Sequence, residues 1–258
     1  MILERLPLIT KRSPTRIPIL LKTIWDYFQL FAFSYISPEV WKTIQKVHKE
    51  KLTYLSRSEL LNLTKNVRRI IKQDVKGIFV EAGCALGGSA LTIAVSKTQE
   101  RPFYIYDTFE MIPPPTVNDG EDAHQRYKVI EAHEAKGVDS TLYYGYIQNL
   151  YDRVYNSFVE CGLKPEDNQI ILNKGLFQNT LNIDEPVALA HLDCDWYDSV
   201  MVCLQQIEPH LSMGGKLIVD DYNYWSGCKK AVDEYFAGER RMNYSFSSSS
   251  HLIITRIH

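Results

Sequence analysis

From Thr53 onward, short apolar runs alternate with longer stretches of helical period. Leu60, Leu63, Val67, Ile70 and Ile71 recur with that period behind "SRSE" (Ser56 to Glu59), whose spacing fits a capping box. "GIFVEAG" (Gly77 to Gly83) reads as a short buried strand ending in glycine. Four further strands are predicted at "PFYIYD" (Pro102 to Asp107), "QIILN" (Gln169 to Asn173), "VALAHLD" (Val187 to Asp193) and "KLIVDD" (Lys216 to Asp221). Helical stretches separate them, at "LTIAVSK", "QNLYDRVYNSFVECG" and "DSVMVCLQQIEPHL". Continuous apolar strands alternating with helices predict an α/β fold with a parallel sheet covered on both faces. "NYSFSSSSHLIITRI" breaks the alternation and predicts an antiparallel hairpin at the sheet edge.

Two segments stand outside this pattern. "IPILLKTIWDYFQLFAFSYI" (Ile17 to Ile36) approaches membrane-spanning length, but Lys22, Asp26 and Gln29 draw a polar stripe down one helix face. An amphipathic helix that covers the body of the protein or a partner subunit is expected, with peripheral membrane contact as the alternative. Trp25, Phe28, Phe31 and Tyr35 supply apolar surface for a lid or for a homodimer or higher oligomer contact. Residues 1–52 therefore read as a helical lid or dimerisation segment and 53–258 as the main domain. The second segment, "EMIPPPTVNDGEDAHQRY" (Glu110 to Tyr127), reads as a long loop of the kind that forms lids.

Composition narrows the field. The chain has 258 residues, is 45% hydrophobic and carries a formal charge of −2, which excludes nucleic acid as its main partner. Five cysteines without a C-x-x-C pair or a secretory leader predict reduced thiols and a cytoplasmic location.

In open parallel sheets, ligands bind beyond the carboxyl ends of the strands, so the residues there matter most. The first strand ends in Glu81, followed by "AGCALGGS". Its glycines (83, 87, 88) miss the G-x-G-x-x-G spacing, which argues against a nicotinamide dehydrogenase. Gly83 and Gly87 would let the backbone approach a ligand, or would simply make a tight turn. Asp107, at the second tip, is placed either to accept from ribose hydroxyls or to act as a cap for the next element. Gly175, Leu176 and Phe177 could flank an adenine ring, though Phe177 could equally be core. Asp193 and Asp220-Asp221 end adjacent strands. Three carboxylates at one rim suit a hard divalent cation better than they suit helix caps, whereas Asp198 fits a cap for the next helix. Cys194 and His191 lack companions for a tetrahedral zinc site, and His191 is expected to be a core histidine.

Taken together, Glu-x-Gly-x3-Gly-x-Ser after the first strand, the acid ending the second, "LDCDWYDS" and "IVDDYNYWSGCKKAV" resemble a class I S-adenosylmethionine methyltransferase. With "TYLSRSELLNL", "GLFQNTL" and "HLSMGGKLIVDD", the chain resembles the macrocin O-methyltransferase family from about Thr53 to Val232. That family methylates sugar hydroxyls of macrolide and aminocoumarin antibiotics. The resemblance implies a Rossmann-like, mostly parallel seven-stranded sheet, with S-adenosylmethionine and Mg2+ as cofactors. Glu81, Gly83 and Ser89 would hold the methionine part of the cofactor and Asp107 the ribose. Ala82, Gly87, Thr108, Gly175, Leu176, Phe177 and Asp193 would complete the cofactor set. Asp193, Asp220 and Asp221 would bind the metal, and Asp195 would be the general base.

Two departures, Cys194 for a usual glycine and Leu176 for a usual tryptophan, imply altered walls around the cofactor or acceptor. The implied acceptor is a hydroxylated small molecule, with a sugar as the leading class. A catechol or phenol acceptor is the alternative, although catechol-type enzymes place a lysine where this chain has Trp196. A non-catalytic cofactor-binding protein is the third possibility, and the complete acid set argues against it.

Overall fold

A computed structural model describes residues 37–248 and 250–258. The Ile17 to Ile36 segment, with Trp25, Phe28, Phe31 and Tyr35, lies outside the described residues. Seven strands form one sheet in the order β3-β2-β1-β4-β5-β7-β6. The strands are β1 (Ile78–Ala82), β2 (Phe103–Asp107), β3 (Ile170–Lys174), β4 (Val187–Leu192), β5 (Leu211–Val219), β6 (Tyr244–Ser248) and β7 (Leu252–Arg256). β1 to β5 pair in parallel, and β7 runs antiparallel to both β5 and β6, which makes the hairpin an edge of the same sheet.

β1 and β4 are buried along their whole length, as continuous apolar runs require when helices cover both faces. One face packs against α1 (Pro38–Lys49), α2 (Arg57–Lys72), α3 (Gly88–Ser96) and α5 (Leu150–Glu160). The opposite face packs against α7 (Tyr197–Ile207) and α8 (Ser226–Tyr235). α4 (Glu121–Glu131) and the short α6 (Phe177–Thr180) complete the α-helices among the described residues. Within the predicted 1–52 segment, α1 sinks Val40, Ile44 and Val47 into the same core as α2 and α3. The capping box is present, with Ser56 Oγ accepting from Glu59 N and Glu59 Oε2 from Ser56 N.

Two boundaries differ from the sequence reading. β5 begins at Leu211 and ends at Val219, so Asp220 and Asp221 lie just past the strand. Gly214 lies inside the strand at φ 76°, where the β4–β5 register also shifts. The expected Glu110 to Tyr127 loop is helical from Glu121, because buried Ala123 and Ile130 give that half an anchored face.

Candidate active site

Beyond the carboxyl ends of β1, β2, β4 and β5 lies a cavity of about 380 Å3. It is lined by Gly83, Ser89, Asp107, Thr108 and Phe177 together with Asp193, Asp195, Asp220 and Asp221. Residues far apart in sequence meet there because every parallel strand delivers its last residue to the same rim. A second cavity of about 340 Å3 shares Thr108, Phe177 and Trp196 with the first and adds Leu176. Glu81, Ala82, Gly87 and Gly175 line neither cavity. Glu81 is fully buried, with Oε1 2.8 Å from Nδ1 of the equally buried His191, and its Oε2 has no hydrogen-bond partner among the described residues.

The β1 tip shows why glycine stands at 83. Its φ is 85°, and an added Cβ would overlap the Asp193 carbonyl. The close approach is thus between two strand tips, and it holds the β1 loop against the β4 acids. Asp107 fastens the same loop: its Oδ2 accepts from Cys84 N and Ala85 N at 2.8 and 3.0 Å, and its Oδ1 from Phe109 N at 2.7 Å. Burial raises the Asp107 pKa, and those amides oppose the rise.

Carboxylate oxygens of Asp193, Asp220 and Asp221 lie within 4.8 Å of one another. Burial, then mutual repulsion with neighbouring carboxylates, pushes the pKa of Asp193 and of Asp221 well above the usual carboxylate range. Among the described residues, their one ion-pair contact is His251 Nδ1, 2.5 Å from Asp220 Oδ1. Three recessed oxygen donors with so little counter-charge fit a hard divalent cation, which would reverse the local electrostatics.

Asp195 stands beside this trio in a left-handed conformation, φ 54°. Its Oδ1 accepts from Trp225 Nε1 at 2.7 Å, and its backbone N–H donates to Asp221 Oδ2 at 3.2 Å. Burial raises its pKa to about 6, against the Trp225 hydrogen bond. Next to it Trp196 is buried, donates from Nε1 to the Pro113 carbonyl and packs edge-on against Trp225. The lysine position of catechol-type enzymes is therefore filled by an indole with its one donor already engaged. Cys194, at the departure from glycine, turns its Sγ toward Cys203 at 3.9 Å.

Sequence reasoning missed much of the wall. Tyr54, Tyr143, Tyr144, Arg126, Trp225 and Ile112 all line the cavity. Trp225 lies inside a quoted motif, but nothing in the motif says that its indole reaches Asp195. Asp198 does not cap α7: it is exposed in the first turn, and Asp119 Oδ1 accepts from Tyr197 N at 2.7 Å instead. Asp122 likewise takes Ser226 N at 2.8 Å, at the start of α8. The acids of the 110–131 segment thus pin it across the site.

Residues 47–246 match the family model described as Macrocin-O-methyltransferase (TylF). The demethyldecarbamoylnovobiocin O-methyltransferase of Streptomyces niveus is 28% identical over 191 residues, which cover 72% of this chain and 68% of that protein. The 8-demethyl-8-(2,3-dimethoxy-alpha-L-rhamnosyl)-tetracenomycin-C 4'-O-methyltransferase of Streptomyces olivaceus is 30% identical over 189 residues, 71% of this chain and 67% of that one. The solved structure of the O-methyltransferase NovP superposes with a TM-score of 0.64 at 25% identity, covering 80% of this chain and 81% of that one. With the sheet order and the rim of acids, these matches place the chain in the macrocin O-methyltransferase family, as an S-adenosylmethionine-dependent O-methyltransferase.

Proposed function

We propose that this enzyme methylates a sugar hydroxyl of a glycosylated small molecule or glycan precursor, with Mg2+ held by Asp193, Asp220 and Asp221. The observation that carries the reading is Asp195, a recessed carboxylate fixed by Trp225 beside three clustered carboxylates. Magnesium, when bound, supplies the positive charge that makes an acceptor hydroxyl acidic enough for a carboxylate to deprotonate. Asp195 would take that proton as the hydroxyl oxygen accepted the methyl group from S-adenosylmethionine, with S-adenosylhomocysteine as the leaving group. Gly83, Ser89, Asp107 and Thr108 bind the methyl donor at the β1 and β2 tips, and Leu176 and Phe177 flank its adenine. Tyr54, Tyr143 and Tyr144 offer aromatic faces for a sugar ring, and burial holds the Tyr143 and Tyr144 hydroxyls protonated. Relatives named for methylation of glycosylated antibiotics support the acceptor class. A homodimer built through the N-terminal segment is part of the proposal.

The test is a panel of glycosides and phenols incubated with purified protein, S-adenosylmethionine and Mg2+, with and without EDTA. Methylation of a glycoside hydroxyl that EDTA abolishes is expected. Full turnover in EDTA would sink the metal step, and turnover of phenols alone would sink the acceptor class.

A further inference from the structure

Glu81, His191 and His251 form a buried polar row that runs to the half-buried Asp220, and the chemistry above uses only Asp220. In the parallel ladder Glu81 stands opposite His191. In the antiparallel ladder Val219 pairs with Leu252 and Ile218 with Ile253, so one further step sets Asp220 opposite His251. Phe79, Leu189, Ile218 and Ile253, two positions from each of the four, lie in the core cluster on the α1–α3 face. Strand alternation therefore projects Glu81, His191, Asp220 and His251 to that same face. His251 is fully buried, as is His191, and their rings meet edge-on at 6.2 Å between centroids. His191 is in turn held by Glu81 at 2.8 Å. On the flank of His251, Asn62 Nδ2 of α2 donates to Ser250 Oγ at 3.1 Å, which pins the turn from which β7 starts.

We infer that His251 is a positioning residue of the metal centre: its Nδ1, packed 2.5 Å from Oδ1 of Asp220, confines that carboxylate and leaves its other oxygen for the cation. The inference rests on the reading of Asp193, Asp220 and Asp221 as metal ligands. Asp220 sits just past the end of β5, where its backbone N–H still donates to the Leu192 carbonyl at 2.9 Å while its side chain leaves the sheet. Among the described residues, the 2.5 Å contact to His251 is its only ion pair. Asp220 and the His191 ring are polar neighbours of that ring, and neither of its nitrogens makes a hydrogen bond among the described residues. His191 and Glu81 prevent the His251 ring from tilting away. The terminal hairpin thereby acquires a role in the active site although it supplies no ligand. Partners of this kind commonly govern metal affinity by about 10- to 100-fold without touching the ion.

The experiment compares the full chain with His251→Leu, His251→Asn and His251→Gln, using Mn2+ as the probe, free ion being read by electron paramagnetic resonance and folding by thermal melts in EDTA. His251→Leu is expected to fold and to bind Mn2+ about tenfold more weakly or worse. His251→Asn, whose amide N–H can stand where Nδ1 stood, is expected to stay within a few-fold of the wild type. A folded His251→Leu with wild-type Mn2+ affinity overturns the inference. Should that variant fail to fold, His251→Gln decides, because its amide reaches the Nε2 position and not Nδ1. Weakened binding then supports the role of His251, and wild-type affinity overturns it. A wild-type protein that takes up no Mn2+ overturns the metal reading itself, and this inference with it.

Discussion

Asp195 occupies a backbone conformation that side-chain-bearing residues seldom adopt. A left-handed φ on a non-glycine residue carries strain and persists only where the surroundings impose it. Here the imposing contacts are the Asp195 N–H on Asp221 and the Trp225 indole on its carboxylate. The conformation turns the side chain into the cavity two residues after Asp193, whereas an extended strand would have carried both acids onward along the same face. Asp195→Asn keeps the size and loses the base. It is expected to lower kcat on a glycoside acceptor by about 100-fold or more while Mn2+ affinity stays close to wild type. A more acidic phenol should suffer less from the same change. Undiminished kcat on the glycoside would remove Asp195 from the chemistry. Asp193, Asp220 and Asp221 were legible in the sequence, because they end apolar runs. Trp225 and Tyr144 were not, since an indole or phenol outside a periodic pattern gives no sign of where it points.

Among the elements, the segment between β2 and α5 is the least periodic, and it decides the shape of the site. Its acids cap two helices of the opposite layer: Asp119 serves α7, and Asp122 serves α8. Asp119 also takes Thr116 N at 2.9 Å, and the Pro113 carbonyl takes the Trp196 indole at 2.9 Å. The segment that reads as a free lid is thus an ordered wall bound through charge-assisted hydrogen bonds. Asp119→Ala removes the cap on α7 and is expected to cost about 1 kcal/mol of stability, read as a lower Tm. It should also raise KM for the acceptor more than it lowers kcat, because the wall moves and the base does not. An unchanged Tm would show that Asp119 contributes no cap. Nothing in the local sequence assigns Asp119 to Tyr197, which lies 78 positions further along the chain.

At the scale of the whole molecule, the site concentrates recessed carboxylates, which ties stability to pH and, under the proposed metal binding, to metal as well. Asp193, Asp195 and Asp221 have folded-state pKa values raised first by burial, with Asp195 near 6. Groups raised in this way favour folding fully below their unfolded value of about 4, and that contribution is lost as pH rises through the raised values. For His191, burial lowers the pKa, but its hydrogen bond and ion pair with Glu81 prevail and raise it, so it acts in the same direction. In EDTA, Tm is therefore expected to fall as pH increases from about 5 to about 8. On the proposed metal site the cation takes the ionised carboxylates, so the Tm gain on adding Mg2+ should grow over the same range. Thermal melts with and without Mg2+ across that range check this, and a gain independent of pH would contradict it. No helix among the described residues is long and apolar enough to cross a membrane.

The layered sheet and the acids at its rim follow from local rules acting along the chain. Apolar runs of strand length must be buried, helical period must cover them, and a parallel sheet must present its strand ends together. For that reason Asp107, Asp193, Asp220 and Asp221 could be gathered at one rim from the strand pattern, whereas Asp195 came only from the family resemblance. Tertiary structure decided what surrounds them. The antiparallel register of the last hairpin brings His251 to Asp220, and the β1–β4 pairing joins Glu81 to His191. Folding of the 110–131 segment over α7 and α8 sets the wall with Trp196 and Arg126. Such contacts join positions separated by tens of residues, and their geometry depends on register and packing, which the identity of either residue does not encode.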